Sequence, residues 1–166
     1  MNKPIVSIIM GSSSDLAIMN ETVAILTEHG VPNEVNILSA HRTPDEVARF
    51  SKGARARGIK VIIAGAGGAA HLAGVIASHS TLPVIGVPMD TRALKGVDSL
   101  LSTVQMPAGV PVATVAIGKP GAKNAGVLAL QILALNNQNL ARRLANFKKS
   151  MARSVRKTNK LHHRTA

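Results

Sequence analysis

A histidine beside an arginine, His41-Arg42 within Ser39-Ala-His-Arg-Thr-Pro44, is the pairing in this chain best suited to chemistry. Histidine is the side chain that exchanges protons most readily near neutral pH. Arginine presents a planar fork suited to an anionic group such as phosphate. Together they point to an acid/base step on a phosphorylated substrate. Two glycine-containing segments offer surface against which such a substrate would lie. Gly11-Ser-Ser-Ser-Asp15 combines a sharp turn, the hydroxyls of Ser12 and Ser14, free N–H groups at a helix start, and a carboxylate for sugar hydroxyls. Read alone it is equally a plain capping run, because Ser and Asp are common N-caps. Gly65-Ala-Gly67-Gly68 lets a ligand lie against bare backbone, with close helix–strand packing as its other reading. His71 follows and either reaches the same cleft or is a helix-start histidine bonded to backbone.

Other chemistries are excluded by what these segments lack. No acidic residue stands where a dinucleotide fingerprint needs one, and no Gly-Lys-Ser/Thr follows the glycines. Gly-x-Ser-x-Gly is absent, which removes the usual hydrolase nucleophile elbow. Without cysteine there is no disulfide, thiol nucleophile or thiolate metal site, as suits a cytoplasmic protein. His29 and His79 read as surface or helix-end residues, and His162-His163 as an incidental pair. No His/Asp/Glu cluster has ligand spacing, so no metal is expected.

The elements that must position these residues alternate regularly. Apolar, strand-like runs cover Ile5 to Met10, Val31 to Leu38, Val61 to Ala64, Leu82 to Val87 and Val112 to Ile117. Helical patterns cover Asp15 to His29, Asp45 to Arg57, His71 to Ser80, Gly96 to Val104, Ala122 to Leu135 and Gln138 to about Lys157. Thr43 is placed as an N-cap, with Pro44 at the first helical position and Glu46 at the third. Gln105 to Gly109 and Gly118 to Gly121 read as turns, and Asn136-Asn137 as a break. Five βα units argue for a parallel sheet with helices on both faces. Each glycine-containing loop, and the His41 turn, then falls at the carboxyl end of a strand, where ligands bind in open α/β sheets. The Ala122 to Leu135 helix has almost no polar face, which suggests burial against other subunits.

A length of 166 residues suits one domain, placed at 1–158 with a frayed basic tail at 159–166. Charge is unevenly spread. Residues 1–141 carry 11 Lys/Arg and 8 Asp/Glu, whereas 142–166 carry 9 Lys/Arg and no acid. A solvated helix end is favoured over nucleic-acid attachment, because no aromatic follows Phe147 for base stacking. The Val61 to Ser80 run is rich in Gly and Ala and holds two histidines, so no membrane span is expected. Met1 to Pro4 leads straight into the first strand, with no signal-peptide pattern.

With these motifs assembled, the chain closely resembles the class I N5-carboxyaminoimidazole ribonucleotide mutases of purine biosynthesis. The matching segments are Met10-Gly-Ser-Ser-Ser-Asp15, Ser39-Ala-His-Arg-Thr-Pro44 and Ala64-Gly-Ala-Gly-Gly-Ala-Ala-His-Leu72, with Gly96-Val-Asp-Ser-Leu100, Gln105-Met-Pro-Ala-Gly109 and Ala116-Ile-Gly-Lys119. Ala73 departs from the proline that relatives often carry after His-Leu, and the basic tail is no family hallmark. The resemblance implies a three-layer α/β/α flavodoxin-like fold with a five-stranded parallel sheet, a C-terminal helix extension and an octamer with sites between subunits. It implies His41 as general acid/base and Ser12, Asp15 and Arg42 as ligands of a ribonucleotide. Ser14, Ser39, Gly67, Gly68 and His71 would line the same pocket. The reaction implied moves a carboxylate from an exocyclic nitrogen to ring carbon 4. A carboxylase using free carbon dioxide is the runner-up, disfavoured by the Gln105 to Gly109 segment, and a non-catalytic nucleotide-binding module is the remaining alternative.

Overall fold

The structure, a computed structural model, describes residues 3–163. They fall into two compact units with the boundary between Ala129 and Leu130. The first unit is built on a parallel sheet of β1 (Val6–Met10), β2 (Asn33–Ile37), β3 (Val61–Ala66), β4 (Val84–Pro88) and β5 (Ala113–Thr114), in the order β2-β1-β3-β4-β5. Its helices are α1 (Leu16–Glu28), α2 (Pro44–Gly53), α3 (Leu72–His79), α4 (Val97–Val104) and the first part of α5 (Gly118–Ala134).

The central strands are continuous apolar runs because both of their faces are covered. Successive side chains on a strand point to opposite faces. Ile9, Ile62, Ala64 and Val84 join one core with Val47 of α2 and Leu72, Ala73 and Ile76 of α3. On the other face, the space above Gly65 is taken by Met19 of α1 and by Met89. There Thr22 of α1, fully buried, donates a 2.6 Å hydrogen bond to the Ala122 carbonyl of α5. Helices on both sides of the sheet give the three layers expected. At Gly86, an added Cβ would lie 2.4 Å from Thr103 Cγ2, so glycine is what lets α4 sit against β4.

Several boundaries differ from the sequence expectation, each for a local reason. β2 begins after Pro32, since proline lacks the N–H that a ladder needs, and β5 is only Ala113–Thr114 where the expectation ran from Val112 to Ile117. β3 runs on through Gly65 and Ala66. A 3₁₀ turn over Ser13–Asp15 precedes α1, which starts one residue later than Asp15. α2 stops at Gly53 instead of Arg57, and the chain reverses through Gly58 at φ +95°. The turn expected at Gly118 to Gly121 is instead the first turn of α5, where the missing N–H of Pro120 costs nothing. α5 also has more of a polar side than expected, with Lys123, Asn124 and Gln131 exposed.

The second unit holds the end of α5 and α6 (Gln138–His162). Asn137 caps α6, its Oδ1 accepting from Leu140 N–H at 3.1 Å. The helix continues five residues beyond Lys157, so residues 159–162 of the supposed frayed tail are helical, while 164–166 lie outside the described residues.

Candidate active site

β1 and β3 are neighbours, yet the chain leaves β1 toward β2 on one side before returning to β3 on the other. At such a switch point the loops beyond the strand ends diverge and leave a crevice. A cleft of about 460 Å³ lies there, lined by the loops after β1, β2 and β3. Ser12, Ser14, Asp15, Ser39, His41, Arg42, Gly67 and His71 all line it, so three loops separated in sequence converge as anticipated. Gly11, Ala40, Ala66, Ala69 and Leu72 complete the lining. They were not singled out as ligands because small apolar residues carry no chemical signature, although each adjoins a residue that does.

Gly68 is absent from the lining. Its φ of +68° turns the chain, its N–H donates to Ser99 Oγ at 2.9 Å, and its carbonyl lies 3.1 Å from Ser102 Oγ, whose one proton it shares with the Asp98 carbonyl. The glycine is therefore used to tie the loop to α4. Nor does the Gln105 to Gly109 turn reach the cleft. Met106 lies over Gly74 of α3 instead.

The Ser39 to Pro44 turn is held by its own polar groups. Thr43 stands at the N-cap position of α2, but its side chain caps nothing. Its hydroxyl accepts from Ser39 N–H at 2.9 Å and donates to the Ser39 carbonyl at 3.0 Å, while Thr43 N–H donates to the same carbonyl at 2.9 Å. The turn is closed at its base, which fixes where His41 and Arg42 leave the backbone. Ser39 Oγ accepts from Arg42 N–H at 3.2 Å and from Nε–H at 3.4 Å. Arg42 Nη2 donates to the Gly11 carbonyl at 2.6 Å. The guanidinium thus bridges the loops after β1 and β2, and its Nη1 edge remains for an anion.

His41 Nε2 lies 2.9 Å from His71 Nδ1, the two rings standing edge to face with centroids 5.0 Å apart. One ring donates and the other accepts, so the pair shares a single proton across that contact. Of the two readings for His71, the cleft holds and the backbone bond does not: its partner is the other histidine, thirty positions away. His29 is a helix-end residue but a buried one, its Nδ1 3.0 Å from the Ile25 carbonyl.

Across the cleft, Ser12 Oγ accepts from Ser14 N–H at 3.2 Å, capping the 3₁₀ turn. Ser14 Oγ lies 2.9 Å from Ser12 Oγ and 3.1 Å from Asp15 Oδ1, and its one proton serves one acceptor at a time. Burial pushes the Asp15 carboxyl above the usual aspartate range, and the hydrogen bond from Ser14 only partly offsets that. A ligand hydroxyl donating to Asp15 would stabilise its charged form. Among the described residues, no group of three or more His, Cys, Asp or Glu could hold a metal, and no helix is long and apolar enough to cross a membrane.

The cleft thus offers an ionisable ring pair, a tethered cation, hydroxyls and bare glycine backbone: proton transfer on an anionic, hydroxylated small molecule. Residues 5–154 match the family model described as AIR carboxylase. The chain is 58% identical over 153 residues to the N5-carboxyaminoimidazole ribonucleotide mutase of Pyrococcus horikoshii, covering 92% of this chain and 85% of that one. With the Bacillus subtilis protein of the same name it shares 57% identity over 153 residues, 92% of this chain and 94% of the relative. The crystal structure of Treponema denticola PurE superposes with a TM-score of 0.86 at 28% identity, covering 95% of this chain and 97% of that one.

Proposed function

The chain belongs to the AIR carboxylase family, and from that premise we infer that it is an enzyme, an N5-carboxyaminoimidazole ribonucleotide mutase of purine biosynthesis. The substrate is a phosphorylated ribosyl aminoimidazole with a carboxylate on its exocyclic nitrogen, and the product carries that carboxylate on ring carbon 4. Arg42 takes the phosphate through the Nη1 edge that its bond to the Gly11 carbonyl leaves open. Asp15 and Ser12 take ribose hydroxyls. Ser14, Ser39 and the backbone of Gly67 shape the pocket, and Gly68 acts by fixing the loop.

His41 carries both proton transfers. As the exocyclic N–C bond breaks, carbon dioxide leaves and the nitrogen takes the His41 proton. Carbon 4 of the electron-rich ring then gives an electron pair to the carbon dioxide. The proton left on carbon 4 returns to His41, and the ring regains its aromaticity. A group that first donates and then accepts works best with a pKa near the operating pH, as imidazoles have. His71 is a positioning residue: its bond to Nε2 orients the His41 ring and sets which nitrogen carries the proton. No cofactor enters, because the aminoimidazole supplies its own electrons.

The observation that carries this reading is His41 at the carboxyl end of β2, bonded to His71 across a cleft that Arg42 spans. The test is incubation with each of the two isomeric carboxylated ribonucleotides, without ATP or bicarbonate. Interconversion is expected there, and in a parallel reaction added labelled bicarbonate should not exchange into the product. Product formed only with bicarbonate would mark a carboxylase instead.

The working form is a homo-octamer. His41 and His71 are exposed in the single chain, and a small apolar molecule such as carbon dioxide is retained only in a closed site. Exposed Leu94, Val97, Leu101 and Val104 form a stripe along α4 and the loop before it, and Val35 and Ile37 are exposed on edge strand β2. Apolar surface grouped in this way favours cover by further copies. The compartment is the cytoplasm, since a phosphorylated substrate does not cross membranes unaided. The oligomer is tested by light scattering.

A further inference from the structure

α6 holds eight Lys/Arg and no acid. Arg142, Lys149, Arg153, Arg156 and Lys160 recur at spacings of 7, 4, 3 and 4, which places them within an arc of about 60° on one side of the helix. All five are exposed. Leu140, Leu144, Met151 and Val155 occupy the opposite side, the first two buried. The cation row therefore points away from the apolar side of its own helix. At 1.5 Å per residue it extends about 27 Å, a length of duplex carrying about 16 phosphates.

We propose that this row, which shares no residue with the mutase cleft, is a docking face for the phosphate backbone of double-stranded nucleic acid. A continuous helix changes the balance struck from the sequence: cations on a frayed tail would be scattered, whereas here they are held in line. Charge complementarity argues against a second copy, since the whole chain has only eight Asp/Glu, none of them in α6. A membrane-surface helix also carries its cations opposite an apolar face, but that face must be broad and open to lipid. In α6 Leu140 and Leu144 are buried, which leaves only Met151, Val155 and Leu161 as its exposed large apolar residues. The α6 residues after Phe147 include no aromatic for base stacking, so recognition rests on phosphate and is independent of sequence.

The test uses the full chain, a fluorescent DNA duplex of mixed sequence and, separately, vesicles of phosphatidylglycerol and phosphatidylcholine. Five neutralised phosphates give a log–log salt slope of about −4.5, so affinity should fall about 500-fold between about 50 and 200 mM salt. The triple variant K149Q/R153Q/R156Q should lose most duplex binding and reduce the slope by about 2.7, while keeping the helical circular dichroism and the mutase rate of the wild type. M151S/V155S should bind duplex unchanged. Any one of three results overturns the proposal: duplex binding by the triple variant equal to wild type, vesicle binding as tight as duplex binding, or no duplex binding at the lower salt.

Discussion

Replacing His41 and His71 in turn, and then together, separates the proton carrier from its support. His41→Asn keeps a polar side chain of similar size but removes the ionisable ring. Positioned acid/base groups contribute about 10²–10⁴-fold to rate, so turnover should fall by at least about 100-fold. His71→Asn removes one 2.9 Å hydrogen bond between two exposed rings. Such a bond contributes about 0.5–1.5 kcal/mol net, which converts to about a 2- to 13-fold slowing. Because His71 acts through His41, the double variant should be no slower than His41→Asn alone. The assay is the initial rate of isomer interconversion, paired with calorimetric titration of the ribonucleotide, whose affinity should survive both single changes. A His41→Asn enzyme retaining a tenth of the wild-type rate sinks the acid/base assignment. Equal losses from the two single variants would refute the division of labour between the rings.

Arg42→Ala should raise KM for the phosphorylated substrate well beyond its effect on kcat, and unchanged affinity in titration would remove Arg42 from the anion site. Thr22→Val removes the second bond to the buried Ala122 carbonyl, which keeps its place in the α5 ladder, and should cost about 0.5–1.5 kcal/mol in urea unfolding. Burial pushes the Glu34 carboxyl up, but hydrogen bonds from Arg57, Ser7 and Asn36 and the Arg57 charge together hold it below the usual glutamate value. A lowered carboxylate adds stability above its unfolded pKa and loses it as pH falls through the folded one. Glu34→Gln should therefore be less stable than wild type near neutral pH, by under about 1 kcal/mol given that Arg57 is 45% exposed, and the gap should close under acid. A gap that persists in acid would show that the pair contributes through packing, including the stacking of Arg57 on Phe50, and not through charge.

Local chemistry written in consecutive residues is legible without a structure. The β-branched runs ending in Met10 and Ala64 specify central strands, because no other element buries both faces over so few residues. Ser39 to Pro44 specifies a strand-to-helix turn, and the alternation of strands with helices then puts Ser12, His41 and Gly67 at one end of one sheet. Relations between distant residues are not legible. Nothing in the sequence says that His41 meets His71, that Arg42 reaches back to the Gly11 carbonyl, or that Gly68 is committed to Ser99 and Ser102 of α4. Thr43 looks like a helix cap by residue type, yet its hydroxyl is taken by Ser39, since two groups closing a tight turn compete with the helix end for the same oxygen. The sequence by itself determined which residue types stand at the mouth of the sheet. The tertiary structure decided which of them touch, because the strand order β2-β1-β3 brings together loops that the chain keeps about thirty residues apart.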